Sequence, residues 1–146
     1  MPEQFITTRR VEFIDTDMAG IVHYSNFARY AEAAESEFFR ALGLTLVGPQ
    51  QDGTRRGWPR VSCSFSFKAP AYFEDVLEIR LAIDRIGVKS LTLRFEFFRD
   101  ETLIATGQLK TAYCLFSPGE PMRSLEIPVE FVKKFEKYVV ESHRPD

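Results

Sequence analysis

Two aspartates and a histidine lie close together in the segment DTDMAGIVHYSNF, which begins at Asp15. Residues 9–14 alternate with the two-residue period of a strand, and helical spacing begins downstream. Asp17 is therefore predicted on a short connection just before a helix N-terminus. Unpaired backbone N–H groups at such an end stabilise a developing negative charge, and a nearby carboxylate can attack a carbonyl or activate water. The segment thus predicts both halves of a hydrolytic site.

The elements that position this segment can be read from the hydrophobic periodicity. Apolar residues at helical spacing predict a helix from about Ser25 to Leu42, and Gly43 is a stop signal. Val47 to Pro59 is rich in Gly, Pro, Gln and charge, which predicts a loop that shapes a pocket entrance.

Four segments with the two-residue period follow the loop, and a last helix is predicted after Pro128. Their predicted ranges are Val61–Phe67, Leu77–Ile83, Leu91–Phe97 and about Thr102–Phe116 for the strands, and about 129–140 for the helix. The connections between the later strands are short, which favours antiparallel neighbours.

This element order predicts an α+β fold in which an antiparallel sheet wraps around one long central helix, because loops alone cannot cover the helix's apolar stripe. We expect one domain over residues 1–146, with a core of about residues 5–117. Such a sheet has a free edge, and its outer face carries apolar groups such as Phe98 and Phe116. Pairing with another copy is therefore expected.

Composition excludes several classes of partner. The formal net charge is −2 with scattered positive residues, so no nucleic-acid surface is expected. No signal peptide and no apolar run of membrane-spanning length is found, which predicts a cytoplasmic protein. Cys63 and Cys114 have no metal-ligand spacing, so both are predicted to be core thiols and no metal site is expected.

The segment from Asp15 to Phe27, with Arg29-Tyr30-Ala31-Glu32 behind it, resembles the signature of hotdog-fold acyl-CoA thioesterases of the 4-hydroxybenzoyl-CoA thioesterase and YbgC-like family. The likeness covers about Phe5 to Phe116. It implies hydrolysis of coenzyme A or acyl carrier protein thioesters without a metal or separate cofactor, since coenzyme A is part of the substrate. It also implies a homodimer or homotetramer with sites between subunits.

The resemblance assigns Asp17 as the catalytic carboxylate and the Tyr24 backbone N–H as the donor to the thioester oxygen. A thioester has an electrophilic carbonyl and a good leaving group, so one carboxylate acting as nucleophile or general base can suffice. Gly20 would let the backbone approach the ligand without a Cβ. The competing interpretation of Asp17 is a cap that only satisfies backbone N–H groups.

Neighbouring polar residues carry open alternatives. Asp15 is expected to order the turn, and its alternative role is that of a catalytic carboxylate. His23 either assists Asp17 or the departing thiolate, or is a polar wall of the pocket. Asn26 either contacts substrate or caps the helix.

More distant candidates complete the predicted site. Glu32 is a candidate substrate contact, and its alternative is a solvated helix glutamate. Lys89 and Ser90 stand at a hairpin entrance where the resembling enzymes place groups for coenzyme A phosphates. The alternative for Lys89 is an ordinary exposed lysine.

The leading hypothesis is therefore an acyl-CoA thioesterase. Its alternatives are a non-catalytic acyl or carrier-protein binding module on the same fold, and a hotdog hydratase or dehydratase using Asp17 and His23. The sequence does not define the acyl group, the carrier, the number of subunits, or whether Asp17 acts as nucleophile or base.

Overall fold

The computed structural model describes residues 3–50 and 52–140, without the side chain of Pro49. Its elements in chain order are β1 (Phe5–Arg10), α1 (Ser25–Ala41), β2 (Val47–Pro49), β3 (Arg55–Gly57), β4 (Arg60–Phe67), β5 (Val76–Ile86), β6 (Ser90–Arg99), β7 (Thr102–Ala112), β8 (Cys114–Phe116), β9 (Arg123–Ser124) and α2 (Val129–Phe135). Short 3-10 turns cover Phe13–Asp15 and Glu136–Tyr138. The predicted last helix is thus shorter than expected and ends in a 3-10 turn.

Five strands form the main sheet in the order β1-β5-β6-β7-β4, and all of its neighbours are antiparallel. Alternate residues of β5 and β6 point inward and are fully buried. They are Leu77, Ile79, Leu81, Ile83, Leu91, Leu93, Phe95 and Phe97. The apolar face of α1 completes this core through Phe27, Tyr30, Ala31, Ala34 and Phe38. The predicted sheet wrapped around one helix is confirmed.

β4 is one of the two edge strands of the main sheet, with β1 at the other edge, and the burial of β4 differs from the sequence expectation. Every residue of β4 except Phe65 is exposed. Within residues 3–50 and 52–140 its strand neighbour is β7, with a register shift between Arg60 and Ser62. The prediction that Cys63 is a core thiol is therefore wrong, whereas Cys114 is buried as expected. Alternation identified the strand, but it does not reveal which strand lies at an edge.

A small second sheet was not expected from the sequence. It has the order β2-β3-β8-β9, so the segment predicted as one loop contains β2 and β3. The strand predicted to run from Thr102 to Phe116 is broken at Tyr113, whose N–H donates to the carbonyl of Lys89 (2.8 Å). Beyond the break, β8 pairs with β3 instead of continuing the main sheet. These strands have two or three residues each, too few for a periodic signal.

α2 closes the end of the core beside the C-terminus of α1. Phe135 is fully buried, with its ring centroid 5.7 Å from that of Phe39 and 6.3 Å from that of Trp58. Lys134 Nζ donates to the carbonyl oxygen of Leu42 at 2.8 Å, which satisfies a terminal carbonyl of α1. α2 therefore fixes one end of the helix whose other end carries the candidate site.

Candidate active site

The turn that carries Asp17 is closed by hydrogen bonds of its own. An isolated bridge joins Thr16 to Val22, and Asp17 N donates to the carbonyl of Ile21 at 2.9 Å. Gly20 N donates to Asp17 O at 2.9 Å, and Ala19 N donates to Asp17 Oδ1 at 2.8 Å. The side chain of Asp17 is exposed, and its Oδ2 has no hydrogen-bond partner among the described residues. One carboxylate oxygen is thus held by the turn while the other is free to react.

The approach to this turn differs from the predicted one. The strand was expected to reach Ile14, but β1 ends at Arg10, and a 3-10 turn over Phe13–Asp15 leads into the Asp17 turn. Gly20 has φ +82°, and a Cβ placed there would meet nothing within 4 Å. Within this chain, glycine is therefore required by the backbone conformation and not by crowding.

Asp15 holds the Asp17 turn in place through buried hydrogen bonds. It is 8% exposed, and its Oδ2 accepts hydrogen bonds from the Tyr30 hydroxyl (2.7 Å) and from Glu12 N (2.9 Å). Its carbonyl oxygen accepts from His23 N (2.9 Å) and from Asn26 Nδ2 (2.8 Å). Asp15 thus joins the 3-10 turn, the Asp17 turn and α1, in the ordering role expected for it.

The Tyr30 hydroxyl remains a hydrogen-bond donor to Asp15 at any ordinary pH. Burial raises the pKa of the Tyr30 phenol above its usual range, and the hydrogen bond to Asp15 raises it further. Asn26 is also buried and donates its amide N–H to Asp15, so it supports the turn and does not act as the helix cap, one of the two roles considered for it. Nothing in the sequence marked Tyr30 for this role, because its position fits the apolar stripe of the helix.

One backbone amide stands out at the N-terminus of α1. Ser25 N donates to His23 Nδ1 (3.3 Å), Asn26 N to His23 O (2.9 Å) and Phe27 N to Tyr24 O (3.2 Å). Tyr24 N–H has no acceptor among the described residues. The helix therefore presents a single unpaired donor at its positive end, where it can polarise a carbonyl oxygen.

Exposed apolar side chains surround the turn. They are Phe13, Ile14, Met18, Tyr24, Phe67, Tyr72 and Phe73, each 47% exposed or more. The rings of Phe13 and Phe73 pack at 5.5 Å, and Phe67 packs against Phe27 at 5.4 Å. A concentration of exposed rings is typical of a surface that binds a ligand or another chain. Alternation did not reveal this surface, because the pattern that places Phe67 on one face of its strand does not show whether that face is covered.

Glu32 lies farther along α1, beside a second acidic residue. Its side chain is 68% exposed, and its Oε2 is 3.5 Å from Arg60 Nη2. Glu35 is fully buried and forms two hydrogen bonds with Arg60. The structure therefore leaves Glu32 accessible and gives it a cationic neighbour that the sequence did not assign.

Lys89 and Ser90, the predicted contacts of the coenzyme A phosphates, lie away from the Asp17 turn of the same chain. Lys89 is exposed, and Ser90 begins β6. Arg99, at the other end of β6, pairs with Asp75 (2.9 Å), whose carbonyl accepts from Val11 N near the site. A strand of this length spans about 30 Å. The structure does not bring Lys89 and Ser90 together with Asp17 within one chain.

In the described ranges, no group of three or more His, Cys, Asp or Glu side chains is arranged to hold a metal ion. Nor does any helix of residues 3–50 and 52–140 have the length and apolar character needed to cross a membrane.

Known proteins resemble this chain over most of its length. Residues 11–135 match the family model of the Thioesterase-like superfamily. A 4-hydroxybenzoyl-CoA thioesterase from Pseudomonas sp. (strain CBS-3) is 31% identical over 143 residues, covering 91% of this chain and 98% of that protein.

Two solved structures extend the comparison. A gentisyl-coenzyme A thioesterase is 31% identical with a TM-score of 0.77, covering 89% of this chain and 98% of its own. An Asp-to-Asn mutant of 4-hydroxybenzoyl CoA thioesterase, complexed with 4-hydroxybenzoyl CoA, is 27% identical with a TM-score of 0.76, covering 90% and 98%. The resemblance found in the sequence is confirmed: the chain belongs to the Thioesterase-like superfamily and has the hotdog fold of these thioesterases.

Proposed function

We propose that this protein hydrolyses an acyl-CoA thioester at the Asp17 turn, with Tyr24 N–H bound to the thioester oxygen. The observation that carries the proposal is the pairing of a free carboxylate oxygen on Asp17 with the only unpaired amide in the described first turn of α1. The two groups complement each other in thioester hydrolysis, since the amide polarises the carbonyl and the carboxylate supplies or activates the nucleophile.

Two chemical routes use the same groups. Asp17 can attack the carbonyl carbon, expelling the coenzyme A thiolate and forming an anhydride that water then hydrolyses. Alternatively, Asp17 accepts a proton from a water molecule that attacks the same carbon, and the C–S bond breaks to release the acid and the coenzyme A thiolate. In both, the developing oxyanion lies at Tyr24 N–H and the positive end of α1.

Thioester hydrolysis as the reaction class follows from the family and from relatives named as thioesterases of coenzyme A thioesters. We further propose an aromatic acyl group. The named relatives act on 4-hydroxybenzoyl-CoA and gentisyl-coenzyme A, and exposed rings such as Phe13, Phe67 and Phe73 border the turn here. Flat aromatic groups pack well against such rings.

A homo-oligomer is part of the proposal. β4 offers an unpaired edge, and an exposed strand edge is a template for pairing with another chain. Lys89 and Ser90 lie too far from Asp17 to serve the same chain's site, so a second copy would have to supply them for the coenzyme A phosphates. Lys89 as a point charge and the Ser90 hydroxyl suit that role.

The test is thiol release from aromatic, short-chain and long-chain acyl-CoA thioesters by wild type and Asp17→Asn. General base or nucleophilic catalysis predicts a loss of at least about 100-fold in kcat for Asp17→Asn. Asp100→Asn is the matched control, since Asp100 is an exposed aspartate in a tight turn between β6 and β7. Binding of the thioesters without cleavage by wild type would instead identify a binding module.

A further inference from the structure

The His23 side chain caps the N-terminus of α1. Tyr24, the residue before α1, has helical dihedral angles (φ −55°, ψ −31°), and its own side chain makes no capping hydrogen bond. A cap residue normally accepts a hydrogen bond from the backbone N–H two or three residues later. His23 Nδ1 accepts from Ser25 N at 3.3 Å and pairs with Ser25 Oγ at 2.8 Å. The His23 imidazole therefore accepts the capping hydrogen bond that a Ser, Thr, Asp or Asn side chain usually accepts.

This cap determines which amide remains available. The His23 ring takes the Ser25 N–H, and the His23 carbonyl accepts from Asn26 N at 2.9 Å. The His23 N–H in turn donates to Asp15 O at 2.9 Å, so the residue is fixed on both sides. The Tyr24 N–H is left as the one unpaired donor of the described first turn.

The same contact selects one tautomer of the neutral ring. A nitrogen that accepts from a backbone N–H carries no proton, so the neutral ring holds its proton on Nε2. Nδ1 is therefore not the source of a proton for a leaving group. The ring also lies against the Tyr24 ring, with centroids 4.5 Å apart and planes tilted by 30°. It can thus limit movement of the residue whose amide faces the substrate.

We propose that His23 is a positioning residue that acts through the amide of Tyr24: by capping α1 it leaves that single donor aimed at the thioester oxygen. This inference rests on the proposed function. Losing the cap frees Ser25 N–H to water and loosens the first turn. The ground-state binding of coenzyme A is unaffected, because the donor interaction matters most when the oxyanion forms.

The experiment compares His23→Leu with His23→Asn. Leucine fills similar space without an acceptor, whereas asparagine is a strong natural cap. The free energy lost with a helix cap is equivalent to a change of about five- to tenfold in a rate. We expect His23→Leu to lower kcat by about that factor with KM within about twofold of wild type. His23→Asn should restore most of kcat. Equal loss in both variants, or full kcat in His23→Leu, would overturn the inference.

A second measurement detects the capping hydrogen bond of Ser25 N–H directly. Amide hydrogen exchange, followed by NMR in the folded proteins, should show Ser25 N–H protected in wild type and His23→Asn but fast in His23→Leu. Tyr24 N–H should exchange fast in all three. Protection of Ser25 that survives in His23→Leu would contradict the cap.

The two proposals can fail separately. If wild type cleaves thioesters and Asp17→Asn does not, but His23→Leu keeps full kcat, only the positioning role fails. If Asp17→Asn keeps full activity, the proposed function fails, and the exchange of Ser25 still decides whether His23 caps the helix.

Discussion

Arg60 and Glu35 form a two-pronged ion pair that ties the edge strand β4 to helix α1. Arg60 Nη2 donates to Glu35 Oε1 at 2.6 Å, and Nη1 donates to Oε2 at 3.0 Å. Glu35 is 0% exposed and lies within the apolar stripe of the helix. Burial raises the pKa of the Glu35 carboxyl, and the Arg60 guanidinium opposes this by stabilising the charged form.

Replacing Arg60 should therefore destabilise the protein in a pH-dependent way. Arg60→Met leaves a buried carboxylate without a partner, which typically costs about 3–5 kcal/mol. The folded protein then holds a proton on Glu35 that the unfolded chain releases. Stability thus falls as pH rises above the unfolded pKa of about 4.5 and levels off only above the raised folded pKa. Urea unfolding at pH 5 and pH 8 measures this.

The matched control removes the charge as well as its partner. Arg60→Met combined with Glu35→Met should recover much of the lost stability, because no charge remains buried. A loss of stability that is the same at both pH values, or that persists in the double variant, would mean that side-chain packing and not the charge explains the effect.

Tyr30→Phe tests the anchor beneath the turn. It removes the hydroxyl that donates to Asp15 Oδ2 at 2.7 Å and leaves that buried carboxylate oxygen with Glu12 N as its remaining partner. We expect a loss of about 1–3 kcal/mol in the free energy of unfolding and a lower kcat, because the Asp17 turn is less well held. Chemical denaturation and thiol release report the two effects.

Tyr138→Phe is the control for that substitution. Tyr138 is also buried, packs against Phe38 with ring centroids 4.9 Å apart, and lies at the opposite end of α1. Its substitution should leave kcat unchanged. A Tyr30→Phe variant with wild-type kcat would show that Asp15 holds the turn without this donor.

Gly20→Ala tests the conformation of the Asp17 turn. Gly20 has φ +82° and Gly119 has φ +75°, and a Cβ at either position would have open space. Both alanine variants should therefore lose about 1–2 kcal/mol through backbone strain alone. Only Gly20→Ala should lower kcat, because Gly119 lies outside the turn. Equal kcat values for the two variants would show that the turn tolerates the change.

Sequence patterns predicted those parts of the molecule that are decided locally. The periodicity that predicts α1, β5 and β6 depends on neighbouring residues, and these elements are confirmed. The turn at Asp17 is also formed by residues close together in the sequence. The pairings of Glu35 with Arg60 and of Asp15 with Tyr30 join residues 25 and 15 positions apart, so they depend on the folded path of the chain. The exposure of Cys63 likewise depends on strand order, which alternation does not encode.

The edge of β4 gives the last prediction, on assembly. If two copies pair through β4, residues near the middle of the strand lie opposite their own copies, where like charges repel. Ser64→Lys places a cation on this exposed edge, whereas Thr102→Lys places one at an exposed position of the interior strand β7. We expect light scattering to give a multiple of the 16.8 kDa chain mass for wild type and Thr102→Lys, and a shift toward a single chain for Ser64→Lys. Because the proposed phosphate contacts of Lys89 and Ser90 come from a second copy, Ser64→Lys should also raise KM for acyl-CoA. A wild type that is monomeric and fully active would show instead that one chain binds coenzyme A without these residues.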